Sequence, residues 1–341
     1  FGAMPLAIQH FVTRSQLSGP LALQGQMSFT GTHDEQAPVR AKWDLDVDIE
    51  NGELVVAWPV TQIAGQVRLR GEADGSEFSC SGDLNLDSAM WRGAQFTGLR
   101  GPLWCDGQRL LMGRWSAPAD VNPPQPSMTG EVFGGRFELD AQVLDHHFDL
   151  QARVERADLR QLFRDLAKRP YNIQGLLSGG LTLSGEPSGW HTLQGTGGLS
   201  VQQTDLYELP FVLSLLNTLS TGSTDTTAFT SSDMVFRIKG DRVYFQQLDL
   251  KGDALTLKGV GDLGFDRDLN LDFYTLVGRE EAYLPAVRSV LGLASQRFLR
   301  VGVTGTLEDP IMTREMLPGI NQTLQQLFPE VAEPQVRVSE R

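Results

Sequence analysis

Residues 39–50 read Val-Arg-Ala-Lys-Trp-Asp-Leu-Asp-Val-Asp-Ile-Glu, with every odd position apolar and every even position charged. Successive side chains on a strand point to opposite faces, so this segment is a strand with one oily face and one ionic face. The same alternation recurs at Phe236-Arg237-Ile238-Lys239 and at Leu269-Asn270-Leu271-Asp272-Phe273. A chain written this way builds one-sided sheet, and each oily face has to be covered by something.

The rest of the chain continues the pattern. Strands are expected at 21–29, 67–71, 82–86, 133–139, 148–154 and 198–201, with five more runs between Met234 and Leu276 and one at Leu299–Leu307. Asn51-Gly52 is a two-residue hairpin signal with a return strand from Leu54, and Asp106-Gly107 is another. A Pro-rich loop at 122–126 interrupts the sheet. Helices are expected at Ala157–Lys168, where Leu159, Leu162, Phe163 and Leu166 share a face, at Pro210–Ser220, at Tyr283–Gln296 and at Met316–Phe328. The count is on the order of fifteen strands against four short helices.

That imbalance sets the fold class: mainly β, an elongated, curled antiparallel sheet in the manner of a groove or taco, built from repeats, with a few short amphipathic helices near the C-terminal end. A twisted sheet curled into a trough covers its own oily face. A closed sandwich with a dry core follows from the same pattern. The 36 glycines fall largely between strand-like runs. Three pattern correspondences suggest an internal repeat: 82–86 with 198–201, 103–112 with 236–245, and 137–139 and 148–150 with 255–257 and 269–271. The expected organisation is a β-rich segment at 1–80 continuing from a missing N-terminal part, a β repeat unit at 81–170 ending in a helix, a β domain with helices at 171–328, and a disordered tail at 329–341.

Composition excludes some functions. The net charge is -13, from 29 basic and 42 acidic residues, and the basic ones are interspersed with acidic ones rather than gathered in a stripe. This argues against nucleic acid as a partner and against adhesion to anionic membranes by charge alone. No apolar run reaches the ~20 residues of a spanning helix. The two cysteines, Cys80 and Cys105, make neither a disulfide scaffold nor a zinc site. They fall on strands expected to be near one another, so a cross-strand disulfide is open to them in an oxidising compartment, the alternative being two unpaired core thiols.

Sites of chemistry are scarce. The five histidines form no pair or cluster at metal-ligand spacing, and His146-His147 reads as a solvated turn. Acidic residues such as Asp44, Asp46 and Asp48 read as the wet half of a strand, not as paired catalytic carboxylates. Gly195-Thr196-Gly197-Gly198 is followed by a strand, which rejects a dinucleotide loop. No cofactor, metal or catalytic residue is assigned. The helix at Pro210–Ser220 is too short to span a bilayer. Its Phe211, Leu213, Leu215, Leu216 and Leu219 either pack on the sheet or cap an apolar groove.

Two runs carry a family resemblance. Residues 195–220, Gly-x-Gly-Gly-Leu-Ser-Val-x-x-x-Asp-Leu-Tyr-Glu-Leu-Pro-Phe-Val-Leu-Ser-Leu-Leu-Asn-Thr-Leu-Ser, and 236–261, opening Phe-Arg-Ile-Lys-Gly-Asp-Arg-Val-Tyr-Phe, resemble the C-terminal region of AsmA-like proteins, the AsmA, TamB and YhdP type. Gly305-Thr306-Leu307-Glu308-Asp309-Pro310 is similar to that family's Gly-x-Leu-x-x-Pro close, and Phe133-Gly134-Gly135 to its Tyr/Phe-Gly-Gly. The resemblance spans 171–312 and, more loosely, 80–156, while 1–79 match in style. It implies a periplasmic protein of diderm bacteria, anchored in the inner membrane through an N-terminal segment this chain lacks. Its long β-groove would carry phospholipid toward the outer membrane.

The expected function is therefore non-enzymatic: transport of phospholipid or another acyl-chain lipid between inner and outer membrane, in outer-membrane biogenesis. The lining would be the inward halves of the strands. In the first half these are Trp43, Leu45, Val47, Leu84, Leu86, Phe137 and Leu139. In the second they are Phe236, Ile238, Leu255, Leu257, Leu269, Leu271 and Phe273. The alternative is a periplasmic scaffold with a dry core that docks an outer-membrane protein. A carbohydrate-active enzyme would need two carboxylates facing a cleft.

Overall fold

A computed structural model describes residues 18–30, 40–55, 59–74, 77–106, 108–117, 124–144, 146–166, 173–204, 212, 214–215, 229–252, 256–277 and 297–317. The fold is mainly β, with seventeen strands in antiparallel sheet among the described residues. The chain divides into two compact units: residues 1–199 with 238–241, and 200–237 with 242–341. The division falls inside a strand near 199, whereas the boundaries expected from sequence fall at 80 and 170.

The first unit is an antiparallel meander. Its strands are β1 (Leu21–Thr30), β2 (Arg40–Val55), β3 (Pro59–Asp74), β4 (Glu77–Trp91), β5 (Ala94–Cys105), β6 (Arg109–Met112), β7 (Met128–Val132), β8 (Gly135–Leu144), β9 (His147–Asp158) and β10 (Leu176–Gly185). Each of β1 to β5 pairs with the next, and β8, β9 and β10 likewise. β6 and β7 both lie between β5 and β8: β6 pairs with Leu103–Cys105 and Arg109–Met112 meets Ala141–Leu144, while β7 takes the other ends of the same two strands. They are one strand position broken by an insertion at 113–127.

That insertion is tied down by a buried carboxylate. Asp140 is 2 % exposed. It accepts hydrogen bonds from the Arg114 backbone N–H at 2.7 Å, from Arg114 Nε at 2.8 Å and from Ser127 Oγ at 3.0 Å. Gly113 makes the entry at φ +70°, and a β-carbon there would meet Asp140 Oδ1. A charge this deep needs such a full set of donors.

The second unit has β13 (Arg242–Lys251), β14 (Thr256–Gly264), β15 (Asp268–Val277), β16 (Arg297–Thr306) and β17 (Pro310–Leu317), each paired antiparallel with the next. β11 (Gln194–Gln202) and β12 (Ser231–Lys239) hold the residues at which the division is drawn. One α-helix of eight residues, α1 (Leu159–Leu166), stands among the described residues. Asp158 Oδ1 accepts from the Arg160 N–H at 2.8 Å and starts it.

Three sequence expectations are corrected. Asn51-Gly52 is not a turn: both residues lie within the sixteen-residue β2, at a register shift against β3. Asn51 has φ +52°, a left-handed conformation that a bulge uses as readily as a hairpin turn. Met316 and Leu317 belong to β17, not to a helix, because Pro310–Leu317 pairs residue for residue with β16. Ala157 and Asp158 close β9, so α1 starts two residues later than expected. The helix expected at Tyr283–Gln296 lies outside the described residues.

Candidate functional site

The register places the apolar halves of the first unit's strands in rows across the sheet. One row runs Leu45, Leu69, Gly82, Leu103, Met112, Ala141, Leu150, Leu183, crossing β2, β3, β4, β5, β6, β8, β9 and β10. Its six large aliphatic side chains are all half-buried, neither sealed nor fully wet. Seven strand spacings of ~4.8 Å make this row about 34 Å long.

A parallel row flanks it: Met27, Trp43, Gly71, Cys80, Cys105, Leu110, Val143, Phe148. Trp43, Cys80 and Cys105 are buried in one cluster with Ala73 and Phe78, against which Leu45 and Leu69 pack. On the other flank, Val47, Val67 and Leu84 are in register, and next to them Ile49, Gly65, Leu86 and Leu99. Leu86 is buried with Ile63 and Ala89. Phe137 meets Phe96 edge-on at 5.0 Å, and Leu139 lies between Met128 and Ala152.

β1 extends the surface with side chains left exposed: Leu21 40 %, Leu23 56 %, Met27 38 % and Phe29 53 %. They stand opposite Ile49, Val47, Trp43 and Ala41, so they share the apolar face. None of the four was expected as lining. Their period-two spacing is visible in Leu-Ala-Leu-Gln-Gly-Gln-Met-Ser-Phe, but Gly25 interrupts the alternation where a fifth apolar residue would stand.

The reverse face of β2 and β3 is ionic and paired. Arg40 meets Asp74 at 2.9 Å and Lys42 meets Glu72 at 3.3 Å. Arg68 grips Asp44 with Nε and Nη2, each at 3.2 Å, and Arg70 Nε reaches the same carboxylate at 3.2 Å. The Arg68 hydrogen bond holds the Asp44 carboxyl below the usual carboxylate range.

The second unit differs. Leu257 and Phe273 are 0 % exposed, and Leu269, Leu271, Val301 and Val303 are buried with them. Phe236 is buried and stands edge-on to Phe245 at 6.3 Å. Of the helix expected at Pro210–Ser220, Val212 and Leu215 are described and fully buried, while Phe211, Leu213, Leu216 and Leu219 lie outside the described residues, as does Leu255. Ile238, in the first unit, is buried. The predicted lining thus falls into two kinds. Leu45, Leu84, Phe137 and Leu139 are half-buried, whereas Trp43, Val47 and Leu86 of the first unit are buried, as are Leu257, Leu269, Leu271 and Phe273 of the second.

Polar chemistry is thin. Among the described residues no three of His, Cys, Asp and Glu are placed to hold a metal ion. His147 stands 3.5 Å from Asp149 at an exposed turn. Among those residues no helix is long and apolar enough to cross a membrane, which says nothing of strands. Compared with protein families, curated proteins and solved structures, the chain matches none, so its likeness to AsmA-like proteins rests on the residues quoted for it.

Proposed function

We propose that this chain is a non-enzymatic lipid conduit of the diderm periplasm, in which the apolar face of the first unit, curled into a groove, guides acyl chains of phospholipid between inner and outer membrane. The observation that carries the reading is the half-buried aliphatic row from Leu45 to Leu183. A dry core seals such side chains, as the second unit does; a surface meant to exchange its cover with an acyl chain keeps them partly open. At about 34 Å the row is comparable to the ~30 Å hydrocarbon thickness of a whole bilayer, longer than a single leaflet's acyl chain needs. The AsmA-like resemblance supports the same reading and the periplasmic setting.

The test is a photo-crosslinking side chain placed at Leu45, Leu69 or Leu103, with Leu257 and Leu271 as buried controls, followed by mass spectrometry of what is captured in cells. Lipid at the first three and not at the controls is expected. Absence of lipid at all three, with the protein folded, sinks the proposal.

A second reading is a structural scaffold that docks an outer-membrane protein. The complete burial of Leu257 and Phe273 favours it for the second unit. It expects no lipid to accompany the purified protein.

A further inference from the structure

Cys80 and Cys105 are direct register partners on β4 and β5. Directly opposed residues of antiparallel strands have Cα atoms ~4.5–5.5 Å apart, inside the ~4.4–6.8 Å that a disulfide bridges without backbone movement. Both side chains are 5 % exposed and share a cluster with Trp43. Both thiols are free in this structure. Cys105 is the last residue of β5, so the pair closes the end of the β4–β5 ladder, where strand ends open first.

We infer that Cys80 and Cys105 form a redox-controlled staple, a cross-strand disulfide that closes in the folded protein and pins the flank of the half-buried row. The oxidant is a small or protein-borne disulfide. Opening of the ladder end exposes Cys80, whose thiolate attacks one oxidant sulfur, forming a mixed disulfide and expelling one thiolate. The Cys105 thiolate then attacks the Cys80 sulfur and expels the second. Two cysteine thiols are oxidised, one oxidant disulfide is reduced to two thiols, and the two cysteine protons end on the two departing sulfurs. The two sulfurs share one buried cluster, so their roles as first attacker and resolving thiolate can be exchanged without changing the product.

The bridge crosses strands joined by the short turn at Arg92-Gly93, so it links a loop of only moderate length. Its effect is local: it holds the cluster under Trp43, one row from Leu45 and Leu69.

The test uses the folded protein in buffers of reduced and oxidised glutathione, quenched with acid, unfolded, and treated with a maleimide mass tag. Oxidised buffer is expected to leave no taggable thiol, a mass lower by two hydrogens and no attached glutathione. Cys80→Ser and Cys105→Ser should each keep a thiol or carry one glutathione. The thermal midpoint of oxidised protein should lie several degrees above the reduced, and tryptophan emission should be quenched on oxidation in the wild type but not in Trp43→Phe. Two taggable thiols in oxidised buffer, or glutathione on each cysteine without a bridge, overturn the inference. Failing that, oxidation in denaturant gives a second check: a bridged chain that cannot regain the native circular dichroism also overturns it.

Discussion

The indole of Trp43 lies across Gly71, its register partner, so closely that a β-carbon on Gly71 would come within 2.5 Å of Trp43 Cζ2. The same β-carbon would meet the Ser79 carbonyl oxygen at 2.4 Å, and a backbone atom has no rotamer with which to yield. Gly71→Val should therefore cost ~1–3 kcal/mol. Gly180→Ala is the control, since the nearest atom to its β-carbon is 3.7 Å away. Urea unfolding followed by tryptophan emission should separate the two, and equal midpoints would show that the sheet simply spreads to make room.

Asp140 tests the insertion at 113–127. Asp140→Ala leaves the Arg114 N–H and the Ser127 hydroxyl without their acceptor; Arg114, 58 % exposed, regains water. The expected loss is ~1–3 kcal/mol. Amide exchange at Arg114 should rise far more than at strands distant from it, whereas a uniform rise would indicate general loosening.

Asp233 and Lys251 give a pH signature. Lys251 Nζ reaches Asp233 Oδ2 at 2.6 Å. The Lys251 hydrogen bond, then that of Ser200, holds the Asp233 carboxyl below its ordinary value, and the Asp233 hydrogen bond raises Lys251. A depressed carboxyl contributes stability above its unfolded pKa of ~3.9, lost as pH falls through the folded value. The raised ammonium contributes below ~10.4, lost as pH rises through its folded value. Both side chains are more than a third exposed, so the pair contributes ~0.2–1 kcal/mol at most. The urea midpoints of wild type and Asp233→Asn should differ at pH 7, and the gap should narrow as pH falls below the ordinary carboxylate value of ~3.9 and close below the lowered folded value. A gap that persists at acid pH rules out the ion pair as its source.

Leu45 and Leu257 contrast the two apolar faces. Leu257→Ala opens a cavity at a fully buried site and should cost ~2–5 kcal/mol. Leu45→Ala, at a half-buried site, should cost well under half of that. Equilibrium unfolding of both variants decides it, and a Leu45 cost as large as that of Leu257 would mean the row is sealed.

Strand content was legible because period-two alternation needs no neighbour to interpret it: Arg40–Glu50 and Leu269–Phe273 are strands where the pattern says so. Turns were less so, because a left-handed residue marks more than one local geometry. Arg92-Gly93 and Phe133-Gly134 make two-residue turns with φ values of 51° and 93°, and 51° and 71°. Neither is an Asn-Gly pair, while Asn51-Gly52 lies inside a strand. β17 was missed as a whole: Pro310–Glu315 lacks period-two alternation and Met316-Leu317 reads as the start of a helix, and only the ladder to β16 fixes the segment as strand. The half-buried row was not legible at all. Alternation says which side chains share a face, but how far that face is covered depends on partners across the sheet.

The ionic side of β2 and β3 has a consequence for folding fidelity. Two sixteen-residue strands with a continuous oily stripe can slide by two residues and still keep that stripe on one side. Sliding one way brings Lys42 opposite Arg70; sliding the other brings Asp44 opposite Glu72. Each misalignment sets one like-charged pair face to face and keeps two or three opposite pairs, whereas the native register sets four opposite pairs, Arg40 with Asp74, Lys42 with Glu72, Asp44 with Arg70 and Asp46 with Arg68, and no like pair. The water-facing side chains thus act as a vernier, counting the same alignment that the fit of Trp43 over Gly71 marks on the greasy side.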